Sequence, residues 1–347
     1  MACNRRAERF ALACPLMPLA SVIGHAPIVA LLRQAVARGR VPQTLLFAGP
    51  EGVGKLTTAV ALAQALNCPT RRSSGGDDAC GTCHTCVRIA RGQHSDVTMV
   101  DRGDDATIKL KVLREKVLDA VGYRPFEGDR RVFIIAADDL QEAGQDALLK
   151  TLEEPPSATV LILISAYPDS LSQTVQSRCR RLRFGQLSER EVARILVERT
   201  GADRAAASAL AAVSGGSVTR ALAEQSGDLS ADRDAALTIL AAAKRGVPEQ
   251  LKASAALAKN DSDRRDREAL GARLDVLASL LRDLGAMASG SSDALANADL
   301  ERDLRALSAA FPLPRVTAGY TSLNHAHTAL ERNASPKIVA DWIALHL

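Results

Sequence analysis

Aromatic residues are scarce in this sequence. One Trp, three Tyr and six Phe among 347 residues are too few for a surface built on base stacking, which needs repeated ring platforms. Long apolar runs are lacking too: none reaches the eighteen or so residues of a membrane span, so the chain reads as soluble, with no membrane partner. Charge of one sign is also missing. Forty-four basic residues face 40 acidic ones for a formal charge of +4, and that balance identifies no nucleic-acid binder by itself. What is present is a 47% hydrophobic, 24% charged composition, enough for a sizeable core and incompatible with disordered or collagen-like classes. Alanine and leucine carry the apolar content and favour helices. At roughly 150 residues per domain the length allows two or three domains.

The first twenty residues place Arg5, Arg6 and Arg9 before an apolar stretch from Phe10 to Ala20, superficially like a signal peptide. Pro15 and Pro18 interrupt the stretch and no small-residue cleavage site follows. Residues 1–20 are therefore expected to form a poorly ordered arm. Three of the seven cysteines sit at two-residue intervals in one cluster, a metal-site spacing more than the spread-out framework of a secreted scaffold, which points to the cytoplasm.

Strand-like and helix-like segments alternate through the first half, the pattern of a parallel sheet with crossover helices. Thr44–Ala48, Val97–Val100, Val132–Ala136 and Val160–Ser165 read as strands. Lys55–Asn67, Leu110–Val121 and Gln141–Glu154 read as helices, the last ended by Pro155 and Pro156. An α/β domain is expected over 21–186. Strand patterns then disappear. Ser188 and Glu191 form a capping box ahead of short helices broken at Gly215 and Gly216, which predicts a small helical lid domain over 187–230. From 231 to 347 the pattern is alanine-rich and helical, interrupted at Ser289–Ser292, which predicts an all-α C-terminal domain.

Gly49-Pro50-Glu51-Gly52-Val53-Gly54-Lys55 follows a strand and opens a helix, the context of a phosphate-binding loop. Glycines let backbone N–H groups approach phosphate oxygens, the helix N-terminus adds positive potential, and the lysine neutralises the outer phosphates. The plain alternative is a glycine-rich turn with an exposed lysine. The position that should carry Ser or Thr for magnesium holds Leu56, and Thr57 is rotated about 100° further round the helix. Ala136 and Ala137 stand where an acidic strand end would support metal and water, with Asp138 and Asp139 beyond. Such a cradle fits ATP or another nucleotide bound with weak or no hydrolysis.

Cys80, Cys83 and Cys86 are spaced by two residues, and Cys68 closes the preceding helix. Four thiolates around zinc make a closed structural site with no open coordination position. A redox pair, or a site with His84 in place of Cys68, are the other readings of the same residues. Cys3, Cys14 and Cys179 read as free thiols.

Taken in order, Gly49–Lys55, the Cys68/Cys80/Cys83/Cys86 insertion, Ala147-Leu148-Leu149-Lys150-Thr151-Leu152-Glu153-Glu154-Pro155-Pro156 and Ser177-Arg178-Cys179 resemble bacterial clamp-loader subunits, AAA+ proteins of the DNA polymerase III holoenzyme. The resemblance covers about 21–225. It implies an AAA+ P-loop domain with a zinc module at 68–86, a helical lid and an all-α collar-type oligomerisation domain. Leu56, the missing acidic strand end, and Thr219 where the motor subunits gamma/tau carry a sensing arginine after Gly-Ser make the chain similar to the delta prime branch. The implied role is a stator that helps load a sliding clamp onto primed DNA, partnered by gamma/tau and delta, with DNA contact only through the assembly. The nucleotide cradle would be Gly49, Gly52, Gly54 and Lys55. Arg178 would act in trans as an arginine finger on a neighbour's ATP, against the plain reading of a solvated basic edge that suits Arg180, Arg181 and Arg183. Glu153 and Glu154 would be contact surface, against the plain reading of a solvated turn before the two prolines; Lys150 would be structural or would touch a neighbour or DNA, and His25 would lie near the adenine pocket or in a surface loop. An autonomous gamma/tau-like ATPase is the alternative; an isolated stator would have little or no ATPase or polymerase activity of its own.

Overall fold

A computed structural model describes residues 17–347 apart from 104, 106, 226–227, 259–263, 291–294, 296, 298–299 and 332–333. Most of the expected N-terminal arm, with Cys3 and Cys14, lies outside the described residues, as do Ser291 and Ser292 of the expected break. The chain divides between Arg220 and Ala221 into two compact units.

The first unit is built on five parallel strands in the order β2-β3-β4-β1-β5: β1 Thr44–Ala48, β2 Val97–Val100, β3 Arg131–Ala136, β4 Thr159–Ser165 and β5 Arg180–Arg183. β3 and β4 read as almost unbroken apolar runs because both faces are covered. Their register pairs Phe133 with Leu161 and Ile135 with Leu163, and β1 lies between β4 and β5, pairing Phe47 with Ile164 and with Leu182. Helix α1 (Ala26–Ala37) precedes β1, and α2 (Lys55–Asn67) follows it. Every residue of α2 from Thr58 to Asn67 is buried, which is why its sequence is alanine-rich with no polar stripe. Helices α3 (Pro69–Ser74) and α4 (His84–Ala90) carry the cysteine module between α2 and β2.

The segment read as one helix over Leu110–Val121 is shorter and irregular. Helix α5 (Leu110–Leu113) passes into a π-turn at Arg114–Leu118, with Asp119 N donating to Arg114 O. The wider turn keeps Leu113, Val117 and Val121 all buried against the sheet, so apolar burial outweighs regular helix geometry. The loop before β3 is fixed by Asp96. This fully buried carboxylate accepts from Phe126 N at 2.7 Å, Glu127 N at 2.9 Å and Gly128 N at 2.8 Å. Burial pushes its pKa up, but the three amides outweigh burial and hold it below the usual carboxylate range. Its contribution to stability is therefore complete above the unfolded pKa of about 4 and is lost as pH falls through the lower folded value. Asp96→Ala is expected to cost about 3 kcal/mol at pH 7, and urea unfolding should show the gap between variant and parent closing below pH ~4.

Helix α6 (Glu142–Glu153) leads into β4, and α7 (Gln173–Arg178) leads into β5. The helical remainder of the unit consists of α8 (Glu189–Thr200), opened by the Ser188/Glu191 capping box, α9 (Arg204–Val213) and the start of α10 (Val218–Gln225).

The second unit is helical: α11 (Asp228–Ala242), α12 (Val247–Leu257), α13 (Arg264–Ala288), α14 (Glu301–Ser308), α15 (Leu313–Glu331) and α16 (Pro336–Leu345). Leu270, Leu274, Leu277, Leu281 and Leu284 recur at alternating spacings of three and four along α13 and are all fully buried, which makes α13 the axis of this core. Buried polar groups are hydrogen-bonded to one another: Asp283 accepts from Asn297 N at 2.8 Å and from Asn297 Nδ2 at 2.7 Å.

Candidate functional site

The phosphate loop leaves the end of β1 and enters α2. Gly49 (φ 152°) and Gly52 (φ 74°) adopt backbone conformations that side chains avoid. A Cβ on Gly49 would stand 2.1 Å from Phe184 O, and one on Gly52 would stand 2.1 Å from Ser217 Oγ and 3.1 Å from Thr219 N. The second contact belongs to a closed seam, since Val218 N donates to Gly52 O at 2.9 Å. The start of α10 thus lies directly on the loop. Lys55 is buried, and its ammonium donates to Pro50 O at 2.6 Å and to Gly49 O. Burial lowers its pKa, with Asp138 and Glu51 pulling the other way. His25 Nε2 lies 3.0 Å from Val53 O and carries the proton there, and its ring sits edge-on to Phe184 at 4.8 Å. His25 therefore contacts the phosphate loop itself.

The acidic pair after β3 has a definite destination. Asp138 spans the ends of β3 and β4, accepting from Ser165 Oγ at 2.5 Å, Ala166 N at 2.6 Å and Tyr167 N at 3.3 Å. Asp139 pairs with Arg102 at 3.3 Å. Asp138 is close enough to Lys55 to influence it electrostatically, yet its oxygens are taken up by β4. Leu56, half-buried, presents only hydrocarbon at the position after the lysine.

The four cysteines come together. Cys68 Sγ lies 3.6 Å from Cys80 Sγ and 3.9 Å from Cys83 Sγ, and all four sulfurs, Cys86 included, fall within 4.8 Å of one another. Ligands about 2.3 Å from zinc at tetrahedral angles are about 3.8 Å apart, so the donor set fits the metal. His84 is exposed on the first turn of α4 and is not part of the group. Amides from Arg71 (3.4 Å) and Cys80 (3.5 Å) point at Cys68 Sγ, and Cys83 N points at Cys80 Sγ at 3.3 Å, the outer-sphere donors that stabilise thiolate ligands. Burial pushes Cys80 up, but hydrogen bonds from the Thr82 and Cys83 amides and from the Thr70 and Thr82 side chains outweigh it and bring the thiol down to about 5. The module is also bolted to its surroundings: Asp78 accepts from Leu19 N at 2.9 Å and Ala20 N at 2.7 Å, Asp77 pairs with Arg33 at 2.9 Å, and Gln64 Nε2 donates to Cys86 O at 2.9 Å.

Arg178 ends α7, whose N-terminus is capped by Ser172. Its Nε donates to Glu153 Oε1 at 2.7 Å, Nη2 pairs with the same oxygen, and Nη1 donates to Thr174 O at 2.9 Å. Cys179 is buried behind it, with its thiol pushed up to about 12 by burial. Arg180 and Arg183 are exposed along β5, the edge strand. The sequence allows Glu153 to be contact surface or part of a solvated turn, and neither reading links it to Arg178. The one local signal was a carboxylate at a helix C-terminus, where the dipole disfavours it.

A parallel sheet ordered β2-β3-β4-β1-β5, with a phosphate loop after β1 and a helical segment closing over that loop, defines an AAA+ P-loop domain. Residues 24–188 match the family model described as DNA polymerase III, delta subunit, and residues 228–338 match that described as DNA polymerase III, delta subunit, C terminal. DNA polymerase III subunit tau of Salmonella typhimurium is 33% identical over 174 residues, 50% of this chain and 26% of that protein. Subunit delta' of Bacillus subtilis is 32% identical over 172 residues, 49% of this chain and 50% of that protein. A gamma subunit-related protein of Thermotoga maritima covers 91% of this chain and 97% of its own, at 16% identity and a TM-score of 0.42. The chain spans from about a quarter to about half of the curated relatives it matches. It belongs to the clamp-loader family of DNA polymerase III subunits. Among the described residues no helix is long and apolar enough to cross a membrane.

Proposed function

We propose that the chain is a delta prime-type stator of the clamp loader, a cytoplasmic replication protein. It would assemble with gamma/tau and delta subunits, help load the sliding clamp onto primed DNA, and leave ATP hydrolysis to its neighbours. The observation that carries this reading is the absence of metal support around a retained phosphate cradle of Gly49, Gly52, Gly54 and Lys55. Leu56 follows the lysine, Ala136 and Ala137 end the strand, and Asp138 is held by Ser165 and two amides. Magnesium bridging the outer phosphates neutralises the charge that develops in phosphoryl transfer, and these residues offer it no ligand. Residues 187–230 act as a lid and 231–347 as the oligomerisation domain. Cys68, Cys80, Cys83 and Cys86 would hold a structural zinc, which supplies folding free energy to a short insertion and no reaction chemistry. Arg178 would enter a neighbour's ATP site as an arginine finger. DNA contact is to phosphates, made through the assembly and without base readout.

The retained lysine, together with similarity to tau subunits, favours a second reading, an autonomous gamma/tau-like ATPase. Purified chain incubated with ATP and magnesium separates the two. The stator reading expects phosphate release at the blank rate, and sustained turnover that disappears in Lys55→Ala would overturn it.

A further inference from the structure

We propose that Glu153 is a positioning residue for Arg178: its carboxylate holds the guanidinium in the orientation in which it meets a neighbouring subunit's nucleotide. This rests on the finger reading above.

The two residues stand at the C-terminal ends of α6 and α7 and are 25 positions apart. Glu153 Oε1 takes the Nε and Nη2 protons on one flank of the guanidinium, and Thr174 O takes one Nη1 proton on the other. A guanidinium has five N–H donors; three are engaged, so two remain for an incoming anion. The flexible stem of an arginine would otherwise sample many rotamers, and fixing it beforehand removes that ordering cost from the reaction.

The backbones of both partners are fixed by adjacent residues at the head of β1. Thr44 Oγ1 donates to Arg178 O at 2.8 Å, and Gln43 Nε2 donates to Pro156 O at 2.6 Å in the turn that follows Glu153. These same residues, with Leu152, Pro155 and Ser177, line a surface groove that contains the pair. Glu153 and Arg178 thus have rigid supports and an open side. Their side chains remain 49% and 31% exposed, and an ion pair so exposed adds little to folding. A helix C-terminus is also an unfavourable place for a carboxylate. Neither stability nor local helix chemistry accounts for an acidic residue here, whereas orienting Arg178 does.

The test is ATP hydrolysis by the full assembly reconstituted from the cognate ATPase subunits and this chain as parent, Glu153→Ala, Glu153→Gln, Arg178→Ala or the double variant. Glu153→Ala should lower kcat at the neighbouring site about tenfold, with KM for ATP and the urea midpoint of the isolated chain unchanged. Glu153→Gln keeps a carbonyl acceptor and should recover most of the loss. In the Arg178→Ala background, Glu153→Ala should do nothing further. The inference is overturned if Glu153→Ala matches the parent, if it raises turnover as a withholding latch would, or if its effect persists without Arg178. Should Arg178→Ala itself be silent, the finger reading fails first and takes this inference with it. A loss in Arg178→Ala without one in Glu153→Ala removes the positioning role alone.

Discussion

Arg178→Ala is expected, on the proposed finger role, to slow hydrolysis at a neighbouring subunit's ATP site by on the order of 10³-fold, the usual contribution of an arginine finger. On that reading the loss is confined to one site of the assembly, so it should appear as one missing site in a single-turnover experiment and as slowed clamp loading. Assembly should be unaffected. The Arg178 side chain is 31% exposed and contacts Glu153 and Thr174 O, and losing a pair of that exposure costs at most about 1 kcal/mol. The contact that joins α7 to β1 runs from Thr44 Oγ1 to the Arg178 carbonyl and survives truncation of the side chain. Arg178→Lys keeps the charge but loses the planar fork, so it should recover only a minor part of the rate. Clamp loading at the parental rate by the alanine variant would exclude the finger.

What could be read in the sequence was what depends on neighbouring residues. The phosphate loop is seven consecutive positions, and β3 and β4 are apolar runs whose burial on both faces follows from composition. Cys80, Cys83 and Cys86 announce themselves by spacing. Membership of Cys68 instead depends on α3 turning back so that a sulfur 12 residues away meets Cys80, and no local pattern encodes that. The π-turn at Arg114–Leu118 was invisible because its leucine and valine spacing also suits an ordinary helix.

Polar partnerships across the sheet were the least legible. Asp138 stands beyond the end of β3, and its partners are Ser165 at the end of β4 and the two amides that follow; the register of β3 with β4 decides that they meet. Glu153 and Arg178 meet because two crossover helices end side by side above β1. The seam between Val218 and Gly52 joins segments more than 160 residues apart. In each case the residue type was visible, while the partner was selected by topology.

Removing the zinc proposed for the four cysteines should have the largest structural effect, and a confined one. Zinc bound by four thiolates contributes on the order of 10 kcal/mol to the folding of a small module. Residues 68–90 have few other resources: Ala79, Ile89 and Ala90 are among the few buried apolar side chains there besides the cysteines. Chelation, or Cys83→Ser, should therefore melt α3, α4 and the turn between them. The disturbance should spread to Leu19 and Ala20, whose amides are held by Asp78. It should reach the flank of α2 that packs against α4, where Gln64 Nε2 donates to Cys86 O, and stop at the sheet. Hydrogen exchange should thus accelerate at 68–90 and 19–20 while β1 and β4 stay protected. Because the ligands bind as thiolates, metal loss should also become easier as pH falls. Elemental analysis should find about one zinc per chain in the parent. Purified parent without stoichiometric metal, or unchanged exchange after chelation, would refute the structural zinc site.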